Sequence, residues 1–347
     1  MDLDLFRRLC ETPGVPGREE RVRAVITGAI GGLFDEVRTD TMGSLICTRP
    51  GSGGDDPTRV MFAAHMDEIG FYVRHVDDKG FVWLNPAGGF DPRNLFSRRV
   101  LVCTDDGDFE GVMNPGGKPI HISSADDRKK IPEIAEFFVD LGMTPEDVEK
   151  KVKVGDFVVM HEPFVEQPEK LVSKAIDNRL ACFVAIETVR RLAGEGTSVA
   201  SELVVVFTVQ EEVGLRGAIT AANAVGADIG IGLDTTLACD TPGVPDTERV
   251  SKHGDGVGIM IQDSSMIADH TLVADLCSVA RKNKIPHQRC ILPRGGQDGA
   301  AIQKSGIGAR AAAVVCGTRY IHTVTESVDK KDLQATIDLL TAWLETV

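Results

Sequence analysis

Nearly continuous apolar runs alternate with segments of helical periodicity over most of the chain. Four such runs occur at 59–67, 202–212, 228–234 and 311–317, and the first three end in polar residues. Such runs are typical of strands that are buried on both faces of a sheet. Apolar residues at helical spacing predict helices over 178–196 and 216–227. The alternation predicts an α/β fold with a mixed, mostly parallel sheet flanked by helices.

Residues 68–168 follow a different pattern, in which short alternating strands are separated by turn residues. Hairpins are predicted around Asp78-Lys79-Gly80 and around Asp106-Gly107. Because α/β segments lie on both sides, we expect a small inserted β-barrel-like domain over 68–168. The larger α/β domain would then be discontinuous, over 1–67 and 169–347.

Composition excludes some classes of protein. The 347 residues include 38 Lys or Arg and 52 Asp or Glu, for a net charge of −14, which argues against a nucleic-acid partner. The longest apolar runs are shorter than the ~20 residues that cross a bilayer. The first residues also lack the basic-then-apolar pattern of a secretory signal. We therefore expect a cytoplasmic protein with no membrane partner.

The first apolar run ends in His65-Met66-Asp67. Side chains alternate along a strand, so His65 and Asp67 would point to one side, where the carboxylate could accept the imidazole N–H and fix its tautomer. A hydrogen-bonded structural histidine is the commoner explanation for such a pair, and the chain contains a second His-x-Asp sequence at His253.

Further carboxylates and a second histidine occur near the ends of predicted strands. Asp177 precedes the long helix, where it could cap the helix or bridge two metal ions. Glu211 and Glu212 end the second run; on extended backbone they would face opposite ways, although exposure at the strand end would also explain them. Asp234 ends the third run, and His322 follows the fourth. Because ligands gather at the carboxyl ends of strands in open α/β sheets, this convergence predicts a metal site.

Five ordered motifs carry a family resemblance: AAHMDEIG, KAIDNRLAC, QEEVGLRGA, GLDTT and RYIHT. The chain resembles the tetrahedral, or glutamyl-type, aminopeptidases, which are dimetal exopeptidases with relatives named cellulase M and FrvX. The resemblance covers nearly the whole chain, including a β-rich insert between the first and second motifs. It implies a zinc-peptidase-like fold.

The resemblance also implies five metal ligands. His65, Asp177 and Asp234 would hold one divalent ion. Asp177, Glu212 and His322 would hold the second, so that Asp177 bridges the two. Imidazoles and carboxylates without thiolates suit zinc or cobalt, with manganese as a third option.

By the same likeness, Glu211 would be the general base and Asp67 the partner of His65. The pocket for the first substrate side chain would be lined by five residues: Arg294, Gly295, Gly296, Gln297 and Asp298. A glycine turn followed by Asp298 as a helix N-cap is the alternative explanation of that stretch.

The implied function is a metal-dependent aminopeptidase that acts on short peptides. The insert would build dimers, which in the family assemble into a hollow tetrahedral dodecamer; a dimer alone is equally compatible. One alternative is an endo-1,4-β-glucanase, for which the adjacent Glu211 and Glu212 are poorly placed to flank a sugar bond. Others are a related dimetal acyl-amino-acid hydrolase or carboxypeptidase, and a non-catalytic metal-bound scaffold, which would not require Glu211.

Overall fold

The structure is a computed structural model that describes residues 1–347. Its α-helices, numbered in chain order, are α1 (Leu3–Glu11), α2 (Glu20–Ala29), α3 (Pro145–Lys151), α4 (Ile176–Gly194), α5 (Arg216–Val225), α6 (His270–Lys282), α7 (Gly299–Gln303) and α8 (Lys330–Leu344). Its β-strands are β1 (Glu36–Thr39), β2 (Leu45–Arg49), β3 (Arg59–His65), β4 (Gly70–Val76), β5 (Val82–Ala87), β6 (Arg98–Thr104), β7 (Gly107–Pro115), β8 (Phe137–Asp140), β9 (Phe157–Met160), β10 (Val165–Glu166), β11 (Lys170–Ser173), β12 (Glu202–Thr208), β13 (Ile229–Leu237), β14 (Val257–Gln262), β15 (His287–Ile291), β16 (Arg310–Arg319) and β17 (Glu326–Asp329).

Eleven strands form one mixed sheet: nine follow the order β1-β2-β12-β3-β13-β16-β17-β11-β10, β14 pairs with β16, and β15 pairs with β14. The four apolar runs of the sequence form β12, β3, β13 and β16, which lie side by side and parallel in its centre. The strands that continue the sheet on either side of these four pair antiparallel. The prediction of a mixed sheet with a parallel centre is confirmed.

Helices cover both faces of this sheet. Along β3, Phe62 belongs to the core under α4 and α8, whereas its neighbour Met61 belongs to the smaller core under α5. The two predicted helices correspond to α4 and α5, and α5 is capped at its C-terminus by Gly226, whose φ of 62° is accessible to glycine at little cost. None of the helices combines the length and apolar character needed to span a lipid bilayer.

The middle of the chain forms a closed antiparallel barrel of six strands in the order β4-β5-β8-β7-β6-β9. Both predicted hairpins, β4–β5 and β6–β7, are present. The barrel has its own apolar core, which also contains Val324 from the loop after β16. By contrast, β10 lies within the predicted insert but pairs with β11 in the large sheet. The barrel strands themselves extend from Gly70 to Met160.

Candidate metal centre

The candidate site lies at the carboxyl ends of the parallel strands. His65 ends β3, Asp234 lies in the last part of β13, and His322 follows β16. A cavity of about 600 Å³ opens there. It is lined by all six charged groups that the sequence predicted to bind metal or act as base: His65, Asp177, Glu211, Glu212, Asp234 and His322. The sheet thus brings together side chains that are widely separated in the sequence.

Asp177 lies between the two histidines. One of its carboxylate oxygens, Oδ1, is 3.4 Å from His65 Nε2, and the other, Oδ2, is 3.6 Å from His322 Nε2. The residue does not cap α4: Asp177 and Asn178 have non-helical backbone angles at its start, with a cis peptide bond between them. Asn178 Nδ2 donates to the carbonyl oxygen of Leu233, which ties this segment to the strand that carries Asp234. The carboxylate is therefore free to face both imidazoles.

Glu211 and Glu212 lie in a turn, not on the extended backbone that the sequence suggested. β12 ends at Thr208, and the N–H of Gly214 donates to the carbonyl oxygen of Glu211. The two carboxylates nevertheless face different partners. Glu211 Oε2 is 3.7 Å from His65 Nε2, and Glu212 Oε1 is 3.3 Å from His322 Nε2.

Asp67 differs from the prediction in the role of its side chain. The backbone carbonyl of Asp67, 3.0 Å from His65 Nδ1, is the nearer acceptor, because β3 ends at His65 and the strand alternation stops there. The Asp67 carboxylate, 3.6 Å from Nδ1, instead accepts the backbone N–H groups of Glu211 and Glu212, both at 3.0 Å. Asp67 thus turns His65 Nε2 toward the cavity and also holds the turn that carries both glutamates.

The two imidazoles are surrounded by negative charge. Burial alone would lower the pKa of His65, but the charge of Glu211 and contacts with Asp177 and Asp67 raise it well above its usual range. Burial opposes the same change at His322, whose pKa the carboxylates of Glu212 and Asp177 raise to about 10. Both rings are thus in a field that attracts cations.

The carboxylates show the complementary effect. Burial and neighbouring negative charges raise the pKa values of Glu211 and Asp234 well above the usual range, and the pKa of Glu212 is raised mainly by burial. Only Asp177 has a lowered pKa: burial acts to raise it, but the two histidines outweigh that effect. Ionised together, the four carboxylates would therefore carry more negative charge than the two imidazoles offset.

These residues fit a pair of divalent ions. Two groups of side chains have ligand atoms within 4.8 Å of one another, namely His65, Glu211 and Asp234, and His65, Asp177 and Glu212. In addition, Glu212 Oε1 is buried and accepts no hydrogen bond. Nitrogen and carboxylate oxygen donors without thiolates are the set that catalytic zinc and similar ions use. The groups differ from the ligand sets that the resemblance implies, since Glu211 is close to His65 and Asp234.

The stretch predicted to bind substrate is divided between the cavity and the core. Arg294, Gly295 and Gly296 line the cavity. Gln297 and Asp298 are 3% and 2% exposed and lie outside the lining. Gln297 Nε2 donates to Asp263, while Asp298 accepts from the Thr208 hydroxyl and does not cap α7 with its side chain. Burial raises the pKa of Asp298 to about 6.

Two buried glutamates near the site were not found from the sequence. Glu326 accepts the backbone N–H groups of Asp177 and His322, and burial raises its pKa well above the usual range. Glu19 accepts the backbone N–H of Gln210, which directly precedes Glu211 and Glu212. Neither residue belongs to a recognisable motif. The second His-x-Asp histidine, His253, is buried outside the cavity, and its pKa is lowered by burial to about 4.

Comparison with known proteins gives consistent matches. The model of a family described as M42 glutamyl aminopeptidase matches residues 43–339. A putative aminopeptidase of Acetivibrio thermocellus is 34% identical, over 97% of this chain and 96% of its own. The lysyl aminopeptidase of Pyrococcus furiosus is 30% identical, over 99% of this chain and 97% of its own.

Solved structures agree over the same length. The TET aminopeptidase of a marine-sediment Thaumarchaeota archaeon has a TM-score of 0.95 at 34% identity, covering 99% of this chain and 96% of its own. The Pyrococcus horikoshii TET1 peptidase, described as able to assemble into a tetrahedron or a large octahedral shell, has a TM-score of 0.86 at 29% identity, covering 98% of each chain. A Thermotoga maritima protein described as an endoglucanase has a TM-score of 0.79 at 28% identity, covering 98% of this chain and 96% of its own.

Proposed function

The chain belongs to the M42 glutamyl aminopeptidase family and is a peptidase; from this premise we propose that it is a dimetal aminopeptidase that releases N-terminal residues from short peptides. The observation that carries the proposal is the position of Asp177, whose two oxygens face His65 and His322. A carboxylate between two imidazoles, with further carboxylates beside each, is suited to bridge two divalent ions.

We assign the general base to Glu211. Two divalent ions held here would lower the pKa of a water molecule and polarise the scissile carbonyl. As the water oxygen forms a bond to the carbonyl carbon, Glu211 would accept a proton from the water. Glu211 would then return this proton to the amine as the peptide bond breaks. Burial and the neighbouring carboxylates raise the pKa of Glu211 well above its usual range, and this supports the role because the side chain then binds a proton more readily.

The cavity supports recognition of a short peptide. Its catalytic side is rich in carboxylates, which suit the free α-ammonium group that defines an N-terminus. Arg294 is the only lysine or arginine in the lining, and we assign it, with Gly295 and Gly296, to the pocket for the first side chain. Gln297 and Asp298 would not contact the substrate and would instead support the loop that carries Arg294, Gly295 and Gly296.

We further propose that the chain forms homo-oligomers through its barrel. A relative with nearly complete coverage is described as assembling into a tetrahedron or an octahedral shell. The barrel also exposes apolar side chains, among them Val112, which is 47% exposed. A dimer and a dodecamer are both compatible with this surface.

Activity on a panel of aminoacyl anilides tests the proposed function. The chelated protein should be inactive, and adding back zinc, cobalt or manganese should restore the release of aniline. Blocking the α-amino group by acetylation should abolish cleavage, because an aminopeptidase needs a free N-terminus. Full activity in excess chelator, or preference for acetylated substrates, would refute the proposal.

The similarity to a protein described as an endoglucanase makes a second candidate worth testing. Carboxylate pairs that cleave a glycosidic bond flank it without metal ions. In this chain Glu211 and Glu212 each lie within 4 Å of a histidine, an arrangement that favours metal binding. We expect no release of reducing sugar from cello-oligosaccharides, with or without chelator.

A further inference from the structure

A buried carboxylate lies directly behind two of the proposed metal ligands. Glu326, the first residue of β17, is 2% exposed. Its Oε2 accepts the backbone N–H of Asp177 at 2.8 Å, and its Oε1 accepts the backbone N–H of His322 at 2.7 Å. One side chain therefore joins two ligand-bearing segments that are distant in the sequence.

Neither segment is held by regular secondary structure at this point. Asp177 has a ψ of 106° at the start of α4, two residues after Ala175 in the left-handed region, and His322 itself has a φ of 65°. The left-handed backbone of Ala175 and His322 persists only where surrounding contacts hold it, and a buried N–H without an acceptor is costly. Glu326 supplies the acceptor for both segments.

The sheet explains why one residue can reach both. β17 pairs with β11, where Glu326 is opposite Ser173, and with β16, where Ser327 is opposite Arg319. β11 leads into the segment of Asp177, and β16 leads into the loop of His322. Glu326 therefore sits at the junction from which both ligand segments depart.

Asp67 provides an internal parallel. Its two carboxylate oxygens accept the backbone N–H groups of Glu211 and Glu212, each at 3.0 Å. Asp67 and Glu326 thus hold the backbone of four residues of the site, two each. The same device is therefore used twice in the site.

We propose that Glu326 is a positioning residue that sets the separation of Asp177 and His322 and so fixes the binding of the second metal ion. This inference rests on the proposed dimetal function. Glu326 does not line the cavity, so it would not contact a substrate bound there. It acts through the backbone of the two ligands.

The test is a calorimetric titration of chelated protein with zinc alone. In Glu326→Gln the volume is kept, but the amide NH₂ can no longer accept one of the two backbone N–H groups. We expect the affinity for the weaker of two zinc ions to fall by about 10- to 100-fold, the range typical of lost contacts behind metal ligands. Activity should fall at limiting zinc, mainly in kcat, and recover at excess zinc.

Asp332→Asn is the matched control. Asp332 is 1% exposed and accepts the backbone N–H groups of Gly254 and Gly256, both at 2.8 Å, away from the cavity. Asp332→Asn should lower the free energy of unfolding by about as much as Glu326→Gln does, and it should leave the affinity for zinc unchanged. If Glu326→Gln does not fold, Glu326→Asp keeps both oxygens one methylene further away and should show a smaller loss of affinity.

The outcomes separate this inference from the proposed function. Two tight zinc sites in the wild type, with the same affinities in both Glu326 variants, would overturn the positioning role alone. An equal loss in Asp332→Asn would also overturn it, because general destabilisation would then be the cause. A wild-type protein that binds no zinc would instead overturn the proposed dimetal centre.

Discussion

Glu212 Oε1 lies 3.3 Å from His322 Nε2 and accepts no hydrogen bond, although the glutamate side chain is only 7% exposed. A buried carboxylate oxygen without a hydrogen-bond donor is costly. A cation between these two side chains would satisfy both the oxygen and the imidazole nitrogen. A metal ion bound between these two side chains should therefore stabilise the folded protein.

The first prediction is that metal stabilises the folded protein. Chelation should lower the unfolding temperature, and zinc at 100 times its Kd should restore about 2.7 kcal/mol per site, because the ligands converge only in the folded chain. Thermal scans at several zinc concentrations measure this effect. His322→Ala should lose part of the zinc-dependent shift, whereas an unfolding temperature that does not respond to zinc would contradict the prediction.

The second prediction concerns Glu211. Glu211→Gln keeps the shape of the side chain and removes the proton acceptor, so turnover should fall by at least about 100-fold, the lower range for a lost general base. Metal content, measured by elemental analysis, should stay near that of the wild type. A fully active variant would remove Glu211 from the mechanism, and an inactive variant that has also lost metal would make it a ligand.

The third prediction concerns Arg294. As the only lysine or arginine in the cavity lining, it should bind a substrate carboxylate. Charged hydrogen bonds contribute about 1.5–3 kcal/mol, so Arg294→Gln should raise KM for a glutamyl anilide by at least about tenfold, with little change for a leucyl anilide. Arg281→Gln, on the exposed side of α6, is the control. Equal changes for both substrates would contradict this role.

The fourth prediction concerns pH and Glu19. Burial, aided by the charge of Asp67, raises the pKa of Glu19 from its ordinary 4.5 to about 7. The folded protein then binds this proton more tightly than the unfolded chain does, so its contribution to stability is complete below pH 4.5 and is lost as pH rises through about 7. Between pH 4.5 and about 7, the free energy of unfolding of the chelated wild type should fall by up to about 3 kcal/mol relative to that of Glu19→Gln.

Denaturant unfolding at a series of pH values measures this difference. The variant keeps the main contacts, because a single oxygen of Glu19, Oε1, accepts the N–H groups of both Gly17 and Gln210. Glu20→Gln, at an exposed neighbouring position, controls for the loss of one negative charge. If the difference between wild type and Glu19→Gln is the same at pH 4.5 and pH 7, the assignment is wrong.

Much of the fold was predictable because its signals are local. The apolar runs that became β3, β12, β13 and β16 need burial on both faces, and only the centre of a covered sheet provides it. The hairpin around Asp106-Gly107 was predictable because an Asp-Gly pair is typical of tight turns. In the structure Gly107 has a φ of 127°. The convergence of His65, Asp234 and His322 followed from the rule that ligands gather at the carboxyl ends of parallel strands.

What could not be predicted depends on contacts between distant segments. The sequence placed Glu211 and Glu212 on extended backbone, but β12 ends at Thr208 and the glutamates lie in a turn held by Asp67. It likewise gave no reason to select Glu326, since an isolated glutamate near a strand start is usually exposed. Its burial results from the pairing of β17 with β11 and β16.

The amino-acid sequence by itself determined the alternation of strands and helices, the inserted barrel and the residue types that gather at the strand ends, because hydrophobic period and turn chemistry act over a few residues. Only the tertiary structure decided which oxygen faces which imidazole and which buried carboxylates hold the ligand backbone. Those relationships depend on strand pairings between segments more than a hundred residues apart, and no local pattern encodes them.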